Sequence, residues 1–289
     1  MSLLFARVRR VLTIAAVMLT LLVLAGATYQ GVETALERRQ FQHPGPLVDS
    51  GGHQLHIYCL GEGLPTVVLE APATGLSAAW GWVQPDVALT TRVCSYDRAG
   101  LGWSEAGDQP YQPSAVAGEL RALLQRAGEP GPYVMVGQGL GAAFAALFAA
   151  QFSSDVAGLV LIDRPIPNPT DERDQTMRLA NASPWLARTG VLRATRMVSD
   201  NADGLPEASG NVVRAFLNRP DHLTRAAAEL ARWNETVALA ESAAIDPDII
   251  VVRLEAAGRE HAALLTDASS ARNVSDAILR VTASVRAKR

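Results

Sequence analysis

Tyr133-Val134-Met135-Val136-Gly137-Gln138-Gly139-Leu140-Gly141 reads as a short apolar strand running into a tight glycine turn. The Ala-rich segment from about Ala142 to Phe152 reads as the helix that leaves it. This is the strand–turn–helix setting of a Gly-x-Ser-x-Gly elbow, in which a sharp turn lifts a serine Oγ above the edge of a sheet. Gly139 occupies the central position. It supplies the turn and no oxygen.

Outward from the elbow, apolar runs at Thr66–Glu70, Arg92–Tyr96, Tyr133–Val136 and Gly158–Ile162 alternate with helical segments. The alternation predicts a mainly parallel sheet, and the unbroken Val/Leu/Ile content predicts helices on both of its faces. A hairpin precedes it: Leu47–Ser50, a Gly51-Gly52 turn, then His53–Cys59. Beyond Asp163, Pro165, Pro167 and Pro169 break the pattern, and about 75 residues follow with helical periodicity and no strand. The sheet is expected to resume at Ile249–Leu254, with a last short strand at Ala262–Leu265 and a closing helix at Val274–Val285.

The N-terminus carries a second signal. Arg7, Arg9 and Arg10 precede a charge-free stretch from Val11 to about Gly31, apolar as far as Ala27. About 18 apolar residues suffice to cross a bilayer core, whereas the apolar part of a signal peptide runs about 7–15. The arginines place the N-terminus on the cytoplasmic side and the rest of the chain outside. A secreted form, cut near Ala25-Gly26-Ala27, is the competing reading. Val32–Gln42 is polar and helix-prone, as for a stalk, and Pro44-Gly45-Pro46 ends it. With 289 residues, 48% of them hydrophobic, the chain can bury one sizeable α/β core. A net charge of −3 carries no basic footprint for nucleic acid.

Thr66-Val67-Val68-Leu69-Glu70 is followed by Gly75, Ser77 and Trp80, then by Ser95-Tyr96-Asp97-Arg98-Ala99-Gly100-Leu101-Gly102-Trp103-Ser104-Glu105, the elbow, and Val156–Asp163. This order resembles the α/β-hydrolase superfamily, in particular a branch of membrane-anchored bacterial members, most closely from Phe41 to Asp163. The resemblance implies a twisted, mainly parallel sheet with a helical cap insertion. It divides the chain into an anchor or signal segment (1–31), a stalk (32–46), a core (47–163 and 247–289) and a cap (164–246). In that fold the strands holding Cys59 and Cys94 are antiparallel neighbours, so the two cysteines are either a cross-strand disulfide or two small buried hydrophobes.

The resemblance also implies a nucleophile, a histidine base, an orienting acid and backbone donors for an oxyanion. The nucleophile position is Gly139, and Gln138 stands where the branch has histidine. After the expected last strand the chain reads Thr266-Asp267-Ala268-Ser269-Ser270, without histidine. His261 would begin that strand, at its opposite end; His43, His53 and His56 fall in the stalk and hairpin, and His222 in the cap. The acid position falls in Glu255–Glu260, with Asp163 as an alternative. In the oxyanion loop Pro72 has no N–H, which leaves Ala73 and Leu140 as candidate donors. Pro72, Ala73, Leu140 and Asp163 are accordingly the pocket candidates beside the degenerate elbow Gly137, Gln138, Gly139, Leu140 and Gly141. Asp97, Arg98, Gly100, Gly102 and Trp103 read as architecture.

The expectation is a non-catalytic module that binds a small apolar ligand or a protein partner, with the membrane as partner of the N-terminal helix and no cofactor, metal or nucleic acid. Two alternatives stand beside it. One is an ester or epoxide hydrolase using non-standard residues. The other is a nucleotide-binding protein, because Gly137-x-Gly139-x-x-Ala142 with Asp163 ending the next strand also matches a dinucleotide fingerprint.

Overall fold

A computed structural model describes residues 2–107, 110–163, 165, 170–198, 202–255 and 263–288. Seven strands form one sheet in the order β1-β2-β4-β3-β5-β6-β7: β1 Leu47–Asp49, β2 Gln54–Leu60, β3 Thr66–Glu70, β4 Val93–Tyr96, β5 Tyr133–Gln138, β6 Val156–Ile162 and β7 Ile250–Leu254. β1–β2 and β2–β4 pair antiparallel, and the remaining pairs are parallel. The helices are α1 Ser2–Gln40, α2 Val83–Ala88, α3 Val116–Arg126, α4 Leu140–Gln151, α5 Thr170–Arg188, α6 Val191–Thr195, α7 Glu207–Leu217, α8 Pro220–Ala231, α9 Trp233–Glu241, α10 Ala263–Thr266 and α11 Ala268–Lys288.

Both faces of the sheet are covered, as the unbroken apolar strands require. Leu120, Leu123, Leu124 of α3 and Phe148 of α4 pack on one face with Leu55, Val68 and Met135. Val83 and Val87 of α2, with Val274, Ile278 and Val281 of α11, pack on the other. The parallel strands end along one edge, where α5 to α9 are inserted between β6 and β7. The connections from β3 and β5 leave in opposite directions, and such a reversal opens a crevice at the strand ends.

Two sequence expectations change here. Residues 263–266 of the expected last strand are helical, and the sheet among the described residues ends with β7. The reason is local: a short Ala/Leu run carries no strand period and consists of strong helix formers. Asp267 also acts as an N-cap for α11, its Oδ1 accepting the Ser270 amide at 2.8 Å. Ala262 lies outside the described residues. The expected stalk, in turn, is not a spacer. α1 continues unbroken to Gln40, and its polar end packs against the cap through Gln30 to the Asn218 carbonyl at 2.7 Å and through an ion pair of Glu37 with Arg193.

The β2–β4 register sets Cys59 directly opposite Cys94, and the two sulfurs are bonded. The antiparallel pairing implied by the resemblance provides that opposition.

Candidate functional site

The elbow is built by glycine. Gly139 has φ 55° and ψ −123°, a conformation that costs an L side chain about 1–3 kcal/mol. Its amide donates to the Ile162 carbonyl at 3.0 Å, which ties the turn to the end of β6. Gly141 passes so close to the loop after β3 that an added Cβ would overlap the Ala71 and Glu70 carbonyl oxygens.

A mostly apolar cavity of about 190 Å³ adjoins the turn at Gln138 and is lined by Pro72–Leu76, by Leu205, Val213 and Leu217 of the cap, and by Leu265 and Thr266 of α10. Pro72 and Ala73 therefore reach the cavity as the sequence suggested. Leu140 is buried and packs in a cluster that Ala73 adjoins, while Asp163 directly follows β6 in a left-handed conformation, φ 46°, its amide donating to the Leu254 carbonyl. Of the elbow residues it is Gln138, at the branch's histidine position, that faces the cavity. Glu255 is the first residue after β7; Glu260 and His261 lie outside the described residues.

His222 is bonded through both of its ring nitrogens. The Gly102 amide donates to its Nδ1 at 3.1 Å, which fixes the proton on Nε2, and Nε2–H donates to the Thr74 carbonyl at 2.9 Å. Both ring nitrogens are committed to backbone, so this imidazole cannot accept a proton from a nucleophile without breaking a bond. Thr74 itself is held at φ 59°, and His222 clamps the carbonyl of that strained residue.

Burial lowers the pKa of His222 below the ordinary 6.5, although the Thr74 bond and the nearby carboxylates Asp97, Asp221 and Glu229 pull the other way. The folded state therefore takes up a proton less readily than the unfolded one. This contribution to stability is complete above the unfolded pKa and is lost as the pH falls below it, at up to about 1.4 kcal/mol per pH unit. Between pH 6.5 and 5 the wild type is expected to lose more thermal stability than His222→Gln, and a pH series of melting curves checks this. Parallel curves for the two proteins would contradict it.

A Ser–His–Asp grouping does occur away from the elbow, and its geometry is that of a buried brace. His56 Nδ1 donates to Asp97 Oδ2 at 3.0 Å, and Ser77 Oγ lies 3.5 Å from the same nitrogen. A triad needs opposite ring nitrogens for the serine and the acid. Asp97 also accepts the Ser77 amide at 2.6 Å and the Trp103 amide at 3.0 Å. Burial opposes its charge, but the His56 bond and these amides outweigh burial and hold its pKa below the usual carboxylate value.

The largest buried polar system was only partly legible in the sequence. The Arg98 guanidinium donates to Glu229 Oε1 and Oε2 at 2.8 and 2.9 Å, to Glu70 Oε1 at 2.8 Å, and to the Ala71 and Pro72 carbonyls at 2.7 and 3.0 Å. Tyr96 Oη donates to Glu70 Oε2 at 2.5 Å. Burial opposes the Arg98 charge, and Glu229 outweighs it, so the guanidinium stays ionised. Burial likewise opposes the Glu229 charge, yet Arg98 holds its pKa below normal, whereas burial prevails at Glu70 and raises its pKa. One arginine thus ties the loop after β3 to cap helix α8. Glu229 carried no sequence signal beyond an acidic residue in a helix.

A family model for the alpha/beta hydrolase fold matches residues 63–199. A putative epoxide hydrolase from Pseudomonas aeruginosa superposes with a TM-score of 0.64 at 16% identity, covering 83% of this chain and 95% of that one. An uncharacterized protein of Schizosaccharomyces pombe is 34% identical over 113 residues, 38% of this chain and 21% of that protein. An uncharacterized vacuolar membrane protein of Saccharomyces cerevisiae is 32% identical over 129 residues, 38% of this chain and 20% of that protein. The chain is a protein of the α/β-hydrolase fold. It spans only about a fifth of the length of these two curated relatives.

Proposed function

We propose that the chain is a membrane-anchored α/β-hydrolase-fold protein that binds a small apolar ligand without turning it over. One observation carries the reading: a glycine stands at the nucleophile position, next to Gln138, which lines a mostly apolar cavity. The scaffold that positions an oxyanion loop, with Arg98, Glu70 and Glu229, is intact around a turn that offers no oxygen. The cavity of about 190 Å³ lies below the usual range of about 300–1,000 Å³ for ligand pockets, which favours a ligand of a few carbons over a long acyl chain.

The anchor is α1. Its most apolar 18-residue window has a mean hydropathy of 2.4 with no residue buried, and Arg7, Arg9 and Arg10 support an N-terminus on the cytoplasmic side with the folded body extracytoplasmic. A disulfide suits that compartment. Hydrolysis of an ester or epoxide by non-standard residues is the second reading, favoured by the fold similarity to an epoxide hydrolase. Nucleotide binding finds less support, because the N-terminus of α4 abuts the Glu70 and Ala71 carbonyl oxygens where a pyrophosphate would need space and positive charge.

Saturation-transfer NMR on the full chain in detergent, with methyl butyrate and 1,2-epoxyhexane as probes, tests the reading. Transfer to at least one probe is expected, with neither consumed, and Val213→Trp, which fills the cavity, should abolish transfer. Consumption of a probe would favour the enzyme reading. Absence of transfer would remove the small-ligand site.

A further inference from the structure

We propose that the cap contributes a second, peripheral membrane contact, the face around Trp185, Arg188 and Val191, which lies in the interfacial layer of the same bilayer that holds α1; this rests on the anchor reading above. The described residues outside α1 expose few large apolar side chains. Leu179 (60% exposed), Trp185 (71%), Val191 (41%) and Met197 (62%) all fall within one short stretch of the cap.

That stretch meets α1 where its apolar run ends. An added Cβ on Gly26 would overlap the Thr189 carbonyl oxygen, so only glycine permits this approach. An added Cβ on Gly190 would in turn come within 2.8 Å of the Gly26 oxygen and 3.5 Å of Tyr29. The Thr189 amide donates to the Trp185 carbonyl at 3.2 Å, which places Trp185 one helical turn, about 5.4 Å, from the contact. Val191 opens the next helix directly after it. The apolar part of the charge-free stretch of α1 ends at Ala27, one residue beyond Gly26. A bilayer that covers Val11–Ala27 therefore has its boundary at the level of the Thr189–Gly190 turn.

The chemistry of the face fits that boundary. Tryptophan prefers the headgroup level, where an apolar ring and a polar N–H are both accommodated. Arg188 stacks over the Trp185 ring, its Cζ 5.0 Å from the centroid, and exposed Arg178 lies on the same helix. Arginines with apolar stems beside an exposed aromatic suit snorkelling toward anionic headgroups. On the far side of the contact, Arg193 pairs with Glu37 and Gln30, so the polar part of α1 is kept with the cap and out of lipid.

The two cysteines are bonded to each other, so one introduced cysteine can be labelled uniquely. Val17→Cys, Trp185→Cys, Val191→Cys and Leu89→Cys are each spin-labelled on the full chain in phosphatidylcholine–phosphatidylglycerol vesicles. Accessibility to oxygen and to a nickel chelate is then read. Leu89, 86% exposed, precedes β4 at the opposite edge of the sheet and serves as the aqueous control. Positions 185 and 191 are expected to lose nickel accessibility relative to 89 and to gain oxygen accessibility, though less than position 17. If position 17 reads as lipid while 185 and 191 match 89, the cap contact is overturned and the anchor stands. If position 17 itself reads as water, the anchor reading fails. Spin–spin broadening at 185 would assign the face to a second copy of the chain and overturn the lipid assignment.

Discussion

Replacing Arg98 with methionine is expected to cost about 3–5 kcal/mol, the usual penalty for removing one partner of a buried ion pair. The loss is large because one guanidinium serves two buried carboxylates, the buried Ala71 carbonyl and the partly buried Pro72 carbonyl. A domain of ordinary stability, about 5–15 kcal/mol, would be left marginal. Urea unfolding of the full chain in detergent measures the effect. Two further results separate lost charge pairing from lost packing. Adding Glu229→Gln to Arg98→Met should recover part of the loss, because it removes one of the stranded charges. The stability of Arg98→Met should also rise as the pH falls from 7 toward 5, because unpaired buried carboxylates gain protons on folding. In the wild type, Glu229 has the opposite sign: its pKa is held low, so its contribution is present above the unfolded value near 4.5 and is lost as the pH falls through the folded value. A loss below 1 kcal/mol for Arg98→Met would show that the network does not hold the loop and cap together.

The second expected result concerns turnover. The wild-type chain should hydrolyse activated esters no faster than the residual acceleration of about 10³–10⁴ over water that binding and oxyanion contacts leave when a triad is removed. Gly139→Ser introduces an oxygen into a backbone at φ 55° and should destabilise the chain by about 1–3 kcal/mol. It should remain inactive and unlabelled by a fluorophosphonate, since His222, the buried cap histidine near the oxyanion loop, has both ring nitrogens bonded to backbone. The informative control is the same variant carrying His261→Ala. Labelling of Gly139→Ser that disappears in the double variant would identify His261 as a base and show that only the nucleophile is missing. Labelling that survives it would point to another residue. Ester hydrolysis by the wild type, abolished by Asp163→Asn or Glu255→Gln, would replace the non-catalytic reading with that of an unusual enzyme.

Much of the framework was legible in order along the chain. The apolar runs from Thr66 to Ile162, the glycine elbow and the Gly51-Gly52 hairpin are local patterns, because burial on both faces and the turn each impose their own residue types. Gly139 at the centre of the elbow is equally a one-dimensional fact, as are the charge-free run after Arg10 and the absence of a basic footprint. The error at Ala262–Leu265 also has a local cause. A short Ala/Leu run carries no period of its own, and the helix that follows is marked only by the Asp267–Ser270 cap.

What the tertiary structure alone decided are the long-range pairings, since ion pairs and hydrogen bonds between distant residues leave no spacing in the chain. Arg98 and Glu229 are 131 positions apart, and His222 reaches Thr74 across 148. The role of each follows from what surrounds it once the cap has closed on the sheet. The stalk likewise became part of the folded body because Glu37 finds Arg193 on a helix 156 residues later. Local periodicity sets which elements form. Which polar groups are buried together, and so which histidine is free to act, depends on how those elements meet.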